Sequence, residues 1–330
     1  MKNVLVTGGA GYCGSILIPD LLNQGYKVRV LDTLFFGNPF LNIKNNNLEV
    51  VKGDIRNQDV VKNCLNSIDM VIHLACISND SSFELNESLS KSINYDAFEP
   101  LVIASKKMGV SRFVYVSSSS VYGVSDKKDV KEDHPLVPLT LYNKFKGLCE
   151  PILFKHDDTN FCTTILRPAT VCGYGPRQRL DVSVNILTNL AFNTNLIRVF
   201  GGKQLRPNLH IQDYSDACQL LLKAPTEKVR RQIFNCGYEN LTILEIAEIV
   251  KEIVNKETDN LKIKIEDSDD LRSYHINSDK IKNDLHFFPK RNVKYAVKEL
   301  CESFKKGLIP NSLDDDIYYN VRTMKKIKAI

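Results

Sequence analysis

No apolar run in this sequence of 330 residues is long enough to cross a membrane. The first apolar run, Val4 to Val6, is also far too short for the hydrophobic region of a signal peptide. The nine cysteines form no CxxC pair and no short Cys/His cluster, so we expect neither a disulfide framework nor a metal site. These absences predict a cytoplasmic protein with reduced thiols, no membrane segment and no bound metal.

The sequence also lacks a large net charge of either sign. The 44 Lys and Arg residues exceed the 39 Asp and Glu residues by only +5, and the basic residues are scattered except for Lys325, Lys326 and Lys328. Such a mild excess suits a small anionic ligand, whereas a nucleic-acid-binding surface needs a basic stripe. The apolar share of 43% is enough for a large buried core, which excludes a disordered or fibrous chain.

Short apolar runs alternate with segments of helical spacing through the first half of the chain. The runs cover residues 4–7, 28–31, 48–51, 70–74, 113–117 and 163–166. This alternation predicts an α/β fold, a doubly wound parallel sheet of the Rossmann type with helices on both faces.

The pattern becomes less regular after about Arg167, where glycine and proline interrupt it and helical spacing returns only at intervals. We therefore expect a first domain over residues 1–170 and a smaller, mixed α/β cap over residues 171–330. The cap should be partly interleaved with the first domain and should close over a ligand.

Three glycines follow the first predicted strand directly. Gly8, Gly11 and Gly14 permit a tight turn and allow backbone N–H groups to approach a pyrophosphate at the start of the next helix. Asp32 ends the second predicted strand, 18 residues after Gly14, where a carboxylate binds the ribose 2′-hydroxyl of NAD and repels the 2′-phosphate of NADP. The spacing predicts an NAD site. Asp54, after the third strand, is either part of that site or a helix N-cap.

A second group of residues points to proton transfer. Tyr142 and Lys146 stand at i and i+4, so they lie on one face of a predicted helix. A neighbouring ammonium favours the phenolate form of a tyrosine, which can then accept a proton from a sugar hydroxyl. The serines 117–120 follow the fifth predicted strand, and a hydroxyl there can orient a substrate oxygen.

With these motifs in place, the chain resembles the extended short-chain dehydrogenases/reductases of the NAD-dependent epimerase/dehydratase family. The resemblance covers nearly the whole chain, through the motifs TGGAGYCG, GDIR, HLAC, SSSSVYG, YNKFK, LRPATVCG, NLHIQDYSDA and RSYHINSDKI. It implies that Tyr142 is the catalytic base, that Lys146 binds the nicotinamide ribose and lowers the pKa of Tyr142, and that Ser118 is the hydroxyl partner. Ser117 and Ser119 stay open as alternatives for that hydroxyl.

The resemblance also implies the positions of the ligand contacts. For NAD they are Gly8, Gly11, Tyr12, Cys13, Gly14, Asp32, Asp54, Ile55, Leu74, Ala75, Ser117, Tyr142 and Lys146. For a nucleotide diphosphate sugar they are Ser118, Asn185, Arg206 and Arg272, with Arg177 and Arg179 left undecided. Residues 79–82, after the fourth strand, are expected to face the sugar ring.

Some residues of this chain differ from the family motifs, and these differences favour one of the family's reactions over the others. Sugar 4,6-dehydratases carry an Asp-Glu pair where this chain has Ser119 and Ser120, which disfavours dehydration. We therefore expect an NAD-dependent nucleotide-sugar epimerase acting through transient oxidation at sugar C4. The alternatives are a net 4-dehydrogenase, a 4-reductase and a non-catalytic NAD-binding protein. Cys76 and Cys172, which replace an alanine and a tyrosine of the family motifs, are expected to serve packing.

The resemblance finally predicts a homodimer that pairs through the helices at residues 97–107 and 142–154.

Overall fold

The computed structural model describes residues 2–125, 127, 129–255, 260–268 and 273–327. Within these residues the strands are β1 (Asn3–Thr7), β2 (Lys27–Asp32), β3 (Leu48–Lys52), β4 (Met70–His73), β5 (Arg112–Val116), β6 (Cys162–Pro168), β7 (Thr170–Cys172), β8 (Leu196–Phe200), β9 (Leu205–His210), β10 (Gln232–Cys236), β11 (Glu239–Thr242) and β12 (Lys262–Glu266).

The helices alternate with these strands through the first half of the chain. They are α1 (Gly14–Asn23), α2 (Gln58–Leu65), α3 (Asp80–Phe83), α4 (Glu87–Lys91), α5 (Phe98–Lys107), α6 (Leu141–Lys155), α7 (Ser183–Thr194), α8 (Ile211–Lys223), α9 (Thr226–Val229), α10 (Ile243–Val254), α11 (Asp279–Leu285), α12 (Val293–Lys305) and α13 (Asn320–Lys326). Across the described part of the chain, none of them is long and apolar enough to cross a membrane.

Seven strands form one large sheet in the order β3-β2-β1-β4-β5-β6-β10, and every neighbouring pair in it is parallel. The order reverses direction beside β1, because β2 and β4 lie on either side of it. In a sheet of this kind ligands bind outside the carboxyl ends of the strands, at that reversal. The predicted doubly wound parallel sheet is confirmed.

The large sheet is buried on both faces, which explains the nearly continuous apolar runs of its strands. On one face, Leu21 of α1 and Leu221 of α8 belong to the same core cluster. On the opposite face, Phe98 of α5 and Leu153 of α6 are fully buried in a second cluster. Because both faces are covered by helices, the strand ends are the part of the sheet that is open to a ligand.

The second half of the chain forms two small sheets, β11-β9-β7 and β12-β8. Between them, residues of α7, α10 and α12 make a separate core cluster. Two segments that follow residue 171 nevertheless return to the large sheet, since β10 pairs with β6 and α8 packs against α1. The division into domains at residues 170 and 171 stays a proposal, in which the second domain is interleaved with the first.

Candidate active site

The carboxyl ends of the large sheet open into a cavity of about 670 Å³. Gly8 follows β1, Asp32 ends β2, Ala75 follows β4 and Ser118 follows β5, and all four line the cavity. The loops of the second half line its far end. One cavity therefore joins the predicted cofactor residues, the predicted catalytic residues and the cap.

The glycine turn brings the backbone against neighbouring loops more closely than a side chain would allow. Gly8 has a φ of +72°, and a Cβ added to it would lie 2.5 Å from the backbone N and Cα of Ala75. A Cβ on Gly14 would lie 2.1 Å from the carbonyl oxygen of Gly9. The close approach places the first turn of α1 on the cavity wall, where a helix N-terminus favours an anionic group.

Asp32 is held at the cavity wall by two backbone groups. Its carboxylate oxygens accept hydrogen bonds from the backbone N–H of Ala10 at 3.0 Å and of Leu34 at 2.8 Å. Burial raises the pKa of this carboxyl, and the two N–H groups counteract that rise. The carboxylate is thus fixed in orientation at the end of β2.

The other predicted cofactor contacts line the same end of the cavity. They are Gly11, Tyr12, Cys13, Asp54, Ile55, Leu74, Ala75 and Ser117. Asp54 also accepts a hydrogen bond from the backbone N–H of Arg56 at 2.8 Å and forms an ion pair with its guanidinium at 2.6 Å.

Asn185 is the one described substrate prediction that the structure keeps away from the cavity wall. Its side chain is fully buried, and its amide donates to the carbonyl of Arg179 at 2.8 Å and to the hydroxyl of Tyr12 at 3.1 Å. Its Oδ1 accepts from the backbone N–H of Gly173 at 3.0 Å. These bonds connect the glycine turn to the loop after β7. Asn185 therefore stabilises two segments of the cavity wall without lining the cavity itself.

Tyr142 and Lys146 both line the cavity from α6. The helix begins after Thr140, whose hydroxyl accepts a hydrogen bond from the backbone N–H of Asn143. Lys146 is only 4% exposed, and its ammonium donates to the carbonyl of Val116 at 2.9 Å. The carbonyl at the end of β5 therefore anchors the lysine beside the serine run.

The serines separate into different roles. The hydroxyl of Ser117 donates to the buried carboxylate of Glu150 at 2.6 Å, and Ser119 is buried away from the cavity wall. Ser118 lines the cavity, with its Oγ 2.7 Å from the Oγ of Ser120. Ser120 in turn donates to the side-chain oxygen of Asn143. Of the alternatives left open by the sequence, Ser118 is the one whose hydroxyl the geometry favours.

Burial raises the pKa of the Tyr142 phenol well above its ordinary value, and the nearby Cys76 and Asp80 raise it further. The guanidinium of Arg179 acts in the opposite direction. Burial thus outweighs the lowering that the Tyr/Lys pair alone predicts, and the phenol of the protein by itself is protonated at neutral pH.

The far end of the cavity is lined by the small sheets and the loops beside them. Arg206 of β9 lies here, with its guanidinium 5.4 Å from the ring centre of Tyr274, and Arg198 and Phe200 of β8 line the same end. Arg272, predicted to contact a phosphate, lies outside the described residues. Cations and an aromatic surface are therefore present at this end. Arg206 was expected here from the resemblance, whereas no motif marks Arg198 or Phe200.

Arg177 and Arg179, left undecided by the sequence, are both on the cavity wall. Arg177 is 6% exposed and its guanidinium lies 4.1 Å from the ring centre of Phe36. Burial, and then the charge of Arg179, lower the pKa of Arg177 to about 9. Within the described part of the chain, the Nε of Arg177 and one terminal nitrogen of Arg179 have no hydrogen-bond partner. The pair provides donors for an anionic ligand.

The protein-family model described as the NAD dependent epimerase/dehydratase family matches residues 4–237. The chain belongs to this family. The family is NAD-dependent, and the cofactor predicted from the glycine turn and Asp32 is confirmed as NAD.

Individual relatives of this chain carry different activities. A UDP-glucuronic acid decarboxylase 1 of Arabidopsis thaliana is 27% identical and aligns over 93% of this chain and 70% of its own length. A UDP-glucose 4-epimerase of Lactobacillus helveticus is 30% identical over 75% of this chain and 81% of its own. The structure of the Thermotoga maritima UDP-glucose 4-epimerase with UDP-glucose is 26% identical and superimposes with a TM-score of 0.82, covering 93% of this chain and 100% of that one. The relatives include nucleotide-sugar epimerases, dehydratases and decarboxylases, and their identity to this chain leaves the reaction open.

Sequence reasoning missed several residues of this family member's cavity. Phe36, Asn320 and Met324 line it although they belong to no recognisable motif, and Tyr214 lines it although no ligand contact was expected at that position of the NLHIQDYSDA motif. Asn320 and Met324 come from α13, which follows the residues matched by the family model. Cys76 lines the cavity, whereas Cys172 is buried in the core of the second half. Long-range packing brings these residues to the site, so their local sequence gives no signal.

Proposed function

We propose that the chain is a nucleotide-sugar epimerase that acts through transient oxidation at sugar C4. The observation that carries the proposal is that Ser118, Tyr142 and Lys146 line one cavity together with the glycine turn and Asp32. A proton acceptor, a hydroxyl that orients the substrate and a dinucleotide-binding turn are the parts that oxidation of a sugar hydroxyl requires.

The cofactor end of the cavity fits NAD. A Cβ at Gly8 or Gly14 would overlap the backbone, so the glycines keep the turn tight enough for a diphosphate to reach the start of α1. Asp32 presents a fixed carboxylate for the ribose, and Ile55, Leu74 and Ala75 provide apolar wall. NAD, when bound, supplies the hydride acceptor and donor, and its oxidised ring carries a positive charge.

Tyr142 is the proposed proton acceptor. Because burial raises the pKa of its phenol, the tyrosine requires positive charge nearby before it can act as a base near neutral pH. The ammonium of Lys146 is fixed one helical turn away by the carbonyl of Val116. Ser118 holds the substrate oxygen, and Tyr142 takes its proton as the C–H bond is oxidised. The same phenol returns the proton when the carbonyl is reduced on its other face.

The serine run supports epimerisation over dehydration. Elimination of water from a sugar needs an acid and a base in addition to the oxidising residues. At the two positions concerned, Ser119 is buried away from the cavity and Ser120 is bonded to Ser118 and Asn143. Hydroxyls engaged in this way do not provide such an acid and base.

The residues at the far end of the cavity are suited to binding the nucleotide diphosphate part of the substrate. Arg206 and Arg198 offer guanidinium groups for phosphate oxygens, and Phe200 is 53% exposed beside them for contact with a base. The known relatives include enzymes named for UDP-linked sugars.

We also expect a homodimer formed through α5 and α6. Leu148 of α6 is 40% exposed, and sedimentation velocity checks this expectation.

The test is to incubate the purified protein with UDP-, GDP-, dTDP- and CDP-sugars and to identify products by NMR and mass spectrometry. A product of unchanged mass with inverted configuration at C4 supports the proposal. Stoichiometric NADH with a 4-keto sugar would instead identify a net dehydrogenase, and a loss of water or carbon dioxide would identify a dehydratase or a decarboxylase. Bound NAD without turnover of any sugar would favour a non-catalytic protein.

A further inference from the structure

Asn320, at the start of α13, binds three residues in two loops of the cavity wall. It is 3% exposed. Its Oδ1 accepts a hydrogen bond from Arg177 at 2.6 Å, and its Nδ2 donates to the hydroxyl of Ser78 at 3.1 Å. Its backbone N–H donates to the carboxylate of Asp181 at 2.9 Å. One residue near the C-terminus therefore connects the loop after β4 with the loop before α7.

The same partners also hold Arg179. Its Nε donates to the other oxygen of Asp181 at 2.8 Å, and its Nη1 donates to the hydroxyl of Ser78 at 3.2 Å. Asn320, Ser78, Arg179 and Asp181 thus form a closed ring of hydrogen bonds, to which Arg177 is attached through Asn320. The ring holds two cations side by side although their charges repel each other, and the carboxylate of Asp181 offsets part of that repulsion.

The location of Arg177 indicates which ligand it faces. Its guanidinium stacks on Phe36, and Asp32 and Cys13 are close enough to act on its charge. Cys13 immediately precedes α1, so the cation lies at the end of the cavity where the diphosphate of a dinucleotide is expected. The buried Nε of Arg177 has no hydrogen-bond partner in the described residues.

The segment that carries Asn320 is itself anchored to the protein. Met324, one turn further along α13, is 2% exposed and packs in the core cluster of α5 and α6. Just before the helix, the carbonyl of Tyr318 accepts a hydrogen bond from the backbone N–H of Leu180 at 2.9 Å. Asn320 is therefore held in place independently of Arg177.

We propose that Asn320 is a positioning residue, which orients Arg177 so that its guanidinium binds the diphosphate of NAD. The proposal rests on the cofactor end of the site as described under the proposed function. It adds that this end is completed by α13. Asn320 does not touch the reacting atoms, and its effect on the cofactor passes through Arg177.

A double-mutant cycle on NAD affinity tests this inference with the full-length protein freed of nucleotide. Isothermal titration calorimetry gives the Kd for NAD of the wild type, Asn320→Ala, Arg177→Ala and the double variant. We expect each single substitution to weaken NAD binding at least tenfold, and the double variant to bind no more weakly than Arg177→Ala alone. The matched control is Lys325→Ala, which removes an exposed residue of the same helix and should leave the Kd within twofold.

Three outcomes would overturn the inference: an Asn320→Ala variant with wild-type affinity, an Arg177→Ala variant with wild-type affinity, or additive losses in the double variant. If Asn320→Ala does not fold, Asn320→Ser keeps a polar group that is too short to reach Arg177 and gives the same readout. Because the measurement uses NAD alone, a failure of the epimerase proposal in the sugar panel leaves the cycle interpretable.

Discussion

The two ends of the cavity are built in different ways. The cofactor end is formed by residues at the carboxyl ends of neighbouring parallel strands, with Gly8, Asp32 and Ser118 each directly at or after a strand of the large sheet. The far end is formed by the small sheets and by the loops between them, including Arg206 and Tyr274. The first end depends on strand order, and the second on how separate segments pack.

This difference suggests a division of roles, with the reaction at the cofactor end of the cavity and substrate selection at the far end. A rigid sheet fixes groups that must meet the reacting atoms within a fraction of an ångström. Loops and small sheets can change without disturbing that geometry, so they are suited to choosing the nucleotide and the sugar. Changes at the cofactor end should therefore affect kcat and NAD binding, whereas changes at the far end should affect the KM of the sugar nucleotide.

The largest effect is expected from Tyr142→Phe, which removes the proton acceptor at the cofactor end and retains the ring. General acid–base catalysis contributes about 10²- to 10⁴-fold, so kcat should fall by that factor. NAD content, measured by absorbance of nucleotide released from the denatured protein, should not change. Retained turnover in this variant would show that Tyr142 is not the base.

Gly11 and Gly14 of the turn should respond differently to alanine. At Gly14 a Cβ would lie 2.1 Å from the carbonyl of Gly9, so Gly14→Ala should lower the free energy of unfolding by about 1–3 kcal/mol. At Gly11 the nearest atom would lie at 3.3 Å, so the protein should fold with only a small loss of stability. Gly11→Ala should nevertheless weaken NAD binding, because its methyl group occupies the path of the diphosphate.

Urea unfolding and calorimetric titration with NAD measure both properties on the same samples. Equal losses of stability in the two variants would contradict the distinction between a packing glycine and a ligand-facing glycine.

The same contrast explains which parts of the fold and of the site could be predicted from the sequence. Apolar runs of four or five residues and the spacing from Gly14 to Asp32 are local patterns, and the strands predicted from the runs agree with the large sheet. The residues predicted to bind the cofactor line one cavity at the strand ends of that sheet. The sequence did not predict that β10 returns to the edge of that sheet, since nothing local tells a strand which partner it takes. Asn185, expected from the resemblance to face the ligand, binds the protein's own backbone instead.

Asn320 shows the limit most clearly. It lies 143 positions after Arg177 in the chain, yet it shares a hydrogen bond with it. Asparagine next to an amphipathic segment is typical of an ordinary helix start, so the side chain's role follows only from the fold.

At the far end, Arg206→Ala should raise the KM of the sugar nucleotide and leave NAD binding unchanged. A hydrogen bond to a charged group contributes about 1.5–3 kcal/mol, so an increase of at least about tenfold is expected. Lys203→Ala, an exposed change in the loop just before β9, is the matched control and should have little effect. Steady-state kinetics at saturating NAD measures the KM, and a fall in kcat alone would place Arg206 with the chemistry.

The smallest effect concerns the free energy of unfolding at alkaline pH, to which buried thiols and phenols of the large-sheet half should contribute. Burial raises the pKa of the thiols of Cys13 and Cys149 and of the phenol of Tyr122 to about 12 each. In the unfolded chain these groups ionise near 9 to 10, so between that range and pH 12 the unfolded state loses protons that the folded state keeps. Stability is therefore intact below about pH 9 and falls as the pH rises.

Urea midpoints at increasing pH measure this loss. One pH unit above the pKa of the unfolded thiol, each buried thiol should contribute a loss of about 1 kcal/mol. Cys149 is fully buried in the cluster of α5 and α6, and Cys149→Val removes its thiol while keeping an apolar side chain. The variant should therefore lose about 1 kcal/mol less stability than the wild type at that pH. A slope unchanged by the substitution would mean that the alkaline loss arises elsewhere, and the far end of the cavity would be the next region to examine.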